Sequence, residues 1–421
     1  MNASPTTDKP RPPLPVLIAF MWGAYFLNYC DRQAVFAMFK VLKADLAMSD
    51  RELGLTGAVF LWVYGLGCPV AGYLADRYPR RNLVVASLAI WSVVTLATGL
   101  ATSAMMLLAL RAAMGISESL YMPAAIALTA DATPVEKRSR AVSILTTAQI
   151  AGTVAGSWFG GWMAGRGQWR GAFFCLGVVG IIYSLPYFRF LRNLGDSKPK
   201  PAIAGPRQAG LSRLAGVPTY RALCFAFPVF VFGLWMLYSW MPAYLQEKFE
   251  LSQADAGFHA SVYLQVGSLA GLFLGGYLAD RLARITQAAR LWLLVASLAL
   301  CSPCLHMIGA GTSLASTSVP LAAFGLFGGF LMGNIFPAAF EVVPSGARAS
   351  AVGMLNFFGS MLSGFAPLAV GEWKKSIGIE RMLTGTGIVY LVSAFVLSVA
   401  IVKWFPADRG RALADETAVG T

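Results

Sequence analysis

Histidine is nearly absent. The 421-residue chain holds two, His259 and His306. So few give no basis for a His-built metal cluster or a nucleophile–base pair, so the sequence argues against an enzyme and against a resident metal or cofactor. Charge is scarce too: 13% of residues are charged, against about 25% in an ordinary soluble domain. The six cysteines, Cys30, Cys68, Cys175, Cys224, Cys301 and Cys304, all sit in apolar runs. That placement speaks against a disulfide scaffold. Cys301-Ser-Pro-Cys304 with His306 has the look of a redox or metal motif, but small thiols on a buried helix explain it as well. Residues 1–13 are polar and proline-rich and lack a cleavable signal pattern.

Apolar residues are what the chain has in excess, 57% of the total, with a mean hydropathy of +0.62. A helix that crosses a bilayer needs about 20 mostly apolar residues. Runs of that kind start near Leu14, Leu53, Leu83, Met105, Ala141 and Ala172, and again near Ala222, Ala254, Leu291, Val319, Ala351 and Leu383. The expected fold is therefore an all-α membrane protein of twelve transmembrane helices in two six-helix, pseudo-symmetric bundles.

The formal net charge of +13 could suggest nucleic acid, but its placement points to topology. With the chain started inside, roughly 22 of the 33 Lys and Arg fall on inside segments. Both termini are thus expected in the cytoplasm, with the protein in a plasma membrane, inner in a bacterium. Its surroundings are the lipid bilayer and no nucleic acid partner is implied.

Between the halves lies NLGDSKPKPAIAGPRQAGLSRLAGV, rich in Pro, Gly and basic residues, a flexible linker by composition. The expected organisation is a tail at 1–13, a first bundle at 14–192, the linker at 193–217, a second bundle at 218–405 and a tail at 406–421. GYLADR ends the second span of each half, at 72–77 and 276–281. Gly72, Asp76, Arg77, Arg80 and Arg81 recur in part as Gly276, Asp280, Arg281 and Arg284. The doubled motif resembles the signature loop of the major facilitator superfamily, whose plan is parallel six-span repeats about a midplane cavity. The resemblance implies a Gly for close helix packing. It also implies an Asp at a helix end that faces the partner half and helps hold one of two states.

A charge in mid-membrane costs at least about 2.5–3.5 kcal/mol, so such residues are functional candidates. Asp31 and Arg32 lie in the first span, Arg111 and Glu118 in the fourth. Arg111 and Glu118 are seven residues apart, nearly two turns, and share a helix face. Asp31, Arg111 and Glu118 are near enough in depth to form a network, while Arg32 points about 100° away from Asp31. Two Arg against two acids sum to zero, and protonating one acid leaves a positive site that suits an anion. The second half offers only neutral polar candidates: Tyr238, Gln265, Asn334 and Asn356.

NYCDR at 28–32, FLWVYG at 60–65, Arg111-x6-Glu118, Trp240-Met-Pro-Ala-Tyr244-Leu and Gly353-Met-Leu-Asn356-Phe together resemble the anion:cation symporter family, over most of residues 14–405. That family holds bacterial sugar-acid transporters, sialin and vesicular glutamate transporters. The resemblance implies H+-coupled symport of a small organic anion, with the proton as coupling ion and a monomer sufficient. It implies proton handling by Asp31 and Glu118. Arg32 and Arg111 would lie near substrate, and Tyr29, Tyr64, Gln149 and Asn356 would line the cavity. The spinster group of lipid transporters shares the Asn-Tyr-x-Asp-Arg and Arg…Glu pattern, so a lysophospholipid or sphingoid lipid is the alternative cargo.

Overall fold

The computed structural model describes residues 14–121, 124, 125, 128, 129, 133, 135–192, 214–344 and 347–419. The expected tail at 1–13 and most of the linker, 193–213, lie outside the described residues, as do the side chain of Asp76 and the surroundings of Gly72.

Each of the twelve apolar runs falls on a helix. In the first half these are α1 (Leu14–Ala34), α3 (Asp50–Arg77), α4 (Arg80–Thr98), α5 (Ala104–Ser119), α6 (Val135–Ala164) and α7 (Trp169–Arg192), with a short α2 (Phe39–Asp45) after α1. In the second they are α8 (Pro218–Phe249), α9 (Gln253–Leu282), α10 (Ala289–Ala310), α11 (Leu314–Phe340), α12 (Arg348–Trp373) and α13 (Ile379–Lys403), followed by α14 (Phe405–Val419). Among the described residues, nine helices are long and apolar enough to cross a membrane on their own. The other three long helices are α1, α5 and α6. Helix α1 carries Asp31 and Arg32, α5 carries Arg111 and Glu118 on 16 residues, and α6 opens on a charged turn. Sixteen residues rise about 24 Å, short of a 30 Å hydrocarbon core.

The repeat is legible in the helix starts. Ser49 caps α3 and Ser252 caps α9, the second long helix of each half; Ser103 caps α5 and Ser313 caps α11, the fourth. In each case the Ser hydroxyl accepts from the backbone N–H three residues on, satisfying a donor the helix leaves open. Packing repeats as well. The first long helix of each half lies on the fifth (α1 on α6, α8 on α12), the second on the fourth (α3 on α5, α9 on α11) and the third on the sixth (α4 on α7, α10 on α13). The halves meet where α3 packs on α12 and α6 on α9.

The second signature copy differs in detail from the resemblance. A side chain at Gly276 would meet open space, whereas one at Gly271 or Gly275 would strike Leu326 or Phe330 of α11. The close-packed glycines thus precede the motif. Asp280 pairs with Arg290 of its own half at 3.2 Å, and Arg290 reaches Glu341 at 2.7 Å. The pair joins the end of α9 to α10, and Arg290 carries it on to Glu341 just past α11. Arg281 donates to Tyr277 at 3.1 Å, and Arg77 lies 4.5 Å from the ring centroid of Tyr73.

The segment expected as a C-terminal tail is largely the helix α14. Buried Asp408 accepts from the Thr219 backbone N–H at 2.9 Å, so α14 caps the start of α8.

Candidate functional site

Helix α1 places the first pair of charges. It approaches α6 closely because Gly156 faces the Cys30 backbone, with no room for a Cβ. Directly after Asp31 and Arg32 the helix tightens into a 3-10 turn at Val35–Met38, a common mark of a hinge. Helix α5 brings the second pair. Gly115 lets it lie against the backbone at Phe60 and Tyr64 of α3.

Asp31, Arg32, Arg111 and Glu118 are all buried, none more than 5% exposed. Arg32 crosses from α1 to α5, with Nη2 donating to Glu118 Oε2 at 2.6 Å and Nε donating to the same oxygen at 3.2 Å. Nη2 also approaches Asn28 Oδ1 at 3.4 Å. Three rings surround the guanidinium: Tyr29 and Phe60 with centroids at 4.7 Å, and Tyr64 at 5.2 Å. Such contacts are worth up to about 2 kcal/mol when desolvated, which offsets part of the cost of burying the ion pair.

Arg111 also approaches Phe60, at 4.9 Å from its ring centroid, and lies 5.9 Å from that of Phe36. Its Nε donates to the Thr56 carbonyl and its Nη1 to Met114 Sδ, each at 3.2 Å. Its Nη2 has no hydrogen-bond partner among the described residues. Asp31 points away from Arg32, towards α4, where the Thr95 hydroxyl donates to Oδ2 at 3.0 Å; Oδ1 is unpartnered among the described residues. The expected network of Asp31, Arg111 and Glu118 is therefore rearranged. The direct partner of Glu118 is Arg32, a long side chain that reaches a neighbouring helix, while Arg111 is drawn off by a backbone carbonyl on α3.

Gln149 and Tyr29 stand on two sides of Tyr25. The Tyr25 hydroxyl donates to Gln149 Oε1 at 3.2 Å, and its ring meets Tyr29 edge-on at 5.1 Å. From the second half, Tyr238 accepts from Gln265 Nε2 at 3.2 Å. Asn356 is exposed on α12 and no described hydrogen bond joins it to the cluster. Asn334 donates to the Phe330 carbonyl of its own helix at 2.9 Å.

Sequence reasoning missed Thr95 and the role of Phe60. A lone Thr in an apolar span carries no signal, and an aromatic next to two arginines on other helices becomes visible only in three dimensions. Cys301 and Cys304 direct their thiols to the carbonyls of Phe324 and Leu300. Among the described residues no group of three or more His, Cys, Asp or Glu could hold a metal.

Comparison with known proteins agrees with this architecture. The chain is 28% identical over 297 residues to a probable sulfoacetate transporter of Cupriavidus necator, covering 66% of this chain and 67% of the relative. It is 24% identical over 368 residues to a probable L-galactonate transporter of Escherichia coli, with 83% and 81% covered. The crystal structure of a bacterial homologue of the human lysosomal transporter Spinster, inward-facing and occupied, superposes with a TM-score of 0.80. The two share 20% identity over 94% of this chain and 98% of that one, which shows the same fold. The model of the Major Facilitator Superfamily matches residues 21–367, and with that match over most of its length the chain belongs to this superfamily of membrane transporters.

Proposed function

We propose that the chain is a secondary active transporter that carries a small organic anion, such as a sugar acid or other carboxylate, into the cell together with H+. The observation behind this reading is the buried pair of Arg32 and Glu118, with Arg111 and Asp31 beside it. Ions buried at this depth are poor value for stability alone. An incoming carboxylate competes with Glu118 for Arg32 and finds a further donor in Arg111. A proton on Glu118 or Asp31 removes the competing negative charge. The halves then rock about the site and expose it to one side and then the other. Both termini face the cytoplasm in this scheme, and Tyr29, Tyr64, Gln149 and Asn356 line the path of the solute.

The names of the sulfoacetate and galactonate relatives support a small anion. Accumulation of radiolabelled galactonate and sulfoacetate in proteoliposomes, inside-alkaline against no gradient, tests the proposal. Gradient-driven accumulation of an organic anion is the expected result. Uptake of lysophospholipid in place of any organic anion would overturn it in favour of lipid transport.

A further inference from the structure

The halves also meet at the end of the bundle remote from the termini, where α3 begins and α12 ends. There Asp50, at the start of α3 and 5% exposed, faces three lysines. Lys43 of its own half lies at 2.6 Å from Oδ1, Lys374 at the end of α12 at 3.6 Å from the same oxygen, and Lys375 at 3.3 Å from Oδ2. Lys375 is 76% exposed, so its pairing is screened, whereas the Lys374 side chain is 11% exposed. The helices meet closely here, because a Cβ at Gly371 would strike the Asp50 carbonyl. Arg51 and Glu372 add an exposed pair across the same seam at 3.3 Å.

Lys374 has a second set of neighbours. Its ammonium lies 3.1 Å from Glu247 and 4.8 Å from the ring centroid of Trp240, both in its own half. Trp240 in turn meets Phe39 of the first half at 4.9 Å, and Phe36 meets Trp235 at 6.3 Å. Phe36 is also a ring that Arg111 approaches, and it sits on the 3-10 turn just past Arg32. An aromatic layer thus connects the ionic seam to the buried charges.

We infer that Asp50 and Lys374 form the latch that holds this end shut and so set the balance between the two access states. The inference rests on the alternating-access reading. The arrangement is reversible for a specific reason. When the halves part, Asp50 keeps Lys43 and Lys374 keeps Glu247, so neither charge is stranded without a counterion. Only the cross-half attraction is lost, and that attraction is what favours the closed arrangement.

Spin labels at Thr102 and Thr312, exposed residues in the loops before α5 and α11, report the opening between halves in the full-length protein with its native cysteines replaced. The distance distribution is read by pulsed electron resonance without solute or gradient, so the result does not depend on which solute is carried. Asp50→Asn and Lys374→Met are each expected to raise the long-distance population about five- to tenfold. The double variant should gain little beyond either single one. If Lys374→Met folds and leaves the distribution unchanged, the latch is refuted, whatever Asp50→Asn does. If both single variants shift it and the double shifts it by their full sum, the two act independently and the inference also falls.

Discussion

Arg32 reaches from α1 to Glu118 on α5 and closes to 2.6 Å, while Arg111, on the same helix as Glu118, turns to the Thr56 carbonyl. The two arginines therefore differ in kind. One is held by a carboxylate within a cage of rings; the other is anchored by a neutral acceptor and keeps Nη2 without a described partner. In the proposed mechanism an anion would meet Arg111 with a donor to spare, and Arg32 only after Glu118 gives way.

Arg111→Lys is expected to weaken anion binding by about tenfold or more, because an ammonium cannot reproduce the planar fork of donors. Isothermal titration of purified protein with the transported anion measures this. Unchanged affinity would remove Arg111 from the binding role.

Phe60 touches both guanidiniums, with centroid distances of 4.7 and 4.9 Å. Phe60→Leu keeps an apolar side chain but removes the ring face from both cations, and should cost about 1 kcal/mol or more for contacts desolvated in this way. A lowered melting temperature together with weaker anion binding is the expected outcome. A variant that melts and binds as the wild type does would show that the ring only fills space.

The signature motif and the helix stripe before it separate under substitution. Gly276→Ala places a methyl in open space and should leave transport and melting temperature unchanged, whereas Gly271→Ala strikes the Leu326 carbonyl of α11. Overpacking of that kind costs about 1–3 kcal/mol. Equal sensitivity at the two positions, read by thermal unfolding and initial uptake rate, would contradict the packing described.

Asp408→Ala removes the acceptor for the Thr219 N–H. A lost helix cap costs about 1 kcal/mol, so the melting temperature should fall by a few degrees while anion affinity stays unchanged. Altered affinity would mean that α14 acts on the site and does more than cap α8.

Much of this was legible in the amino-acid sequence. Apolar run length located the long helices, and GYLADR at 72–77 and 276–281 marked the repeat that the paired serine caps and helix contacts display. The four charged residues stood out because each interrupts hydrocarbon-compatible sequence. Their pairing did not, since helical spacing fixes which residues share a face but not which neighbouring helix supplies a partner. The seven-residue spacing placed Arg111 and Glu118 together, and a long Arg32 side chain from α1 took the acid instead. Thr95 and Phe60 were illegible for the same reason: their significance lies in what other helices bring next to them. The seam at Asp50 was hidden because SDRE at 49–52 reads as an ordinary helix start.

In the proposed mechanism Glu118 exchanges Arg32 for a proton while the anion takes its place on Arg32. Glu118→Gln, compared with wild type in proteoliposomes, tests it most directly. A glutamine keeps the shape but cannot carry the proton, so gradient-driven accumulation should be lost while anion counterflow between the two sides persists. Gradient-driven accumulation at the wild-type rate in the variant would contradict the account.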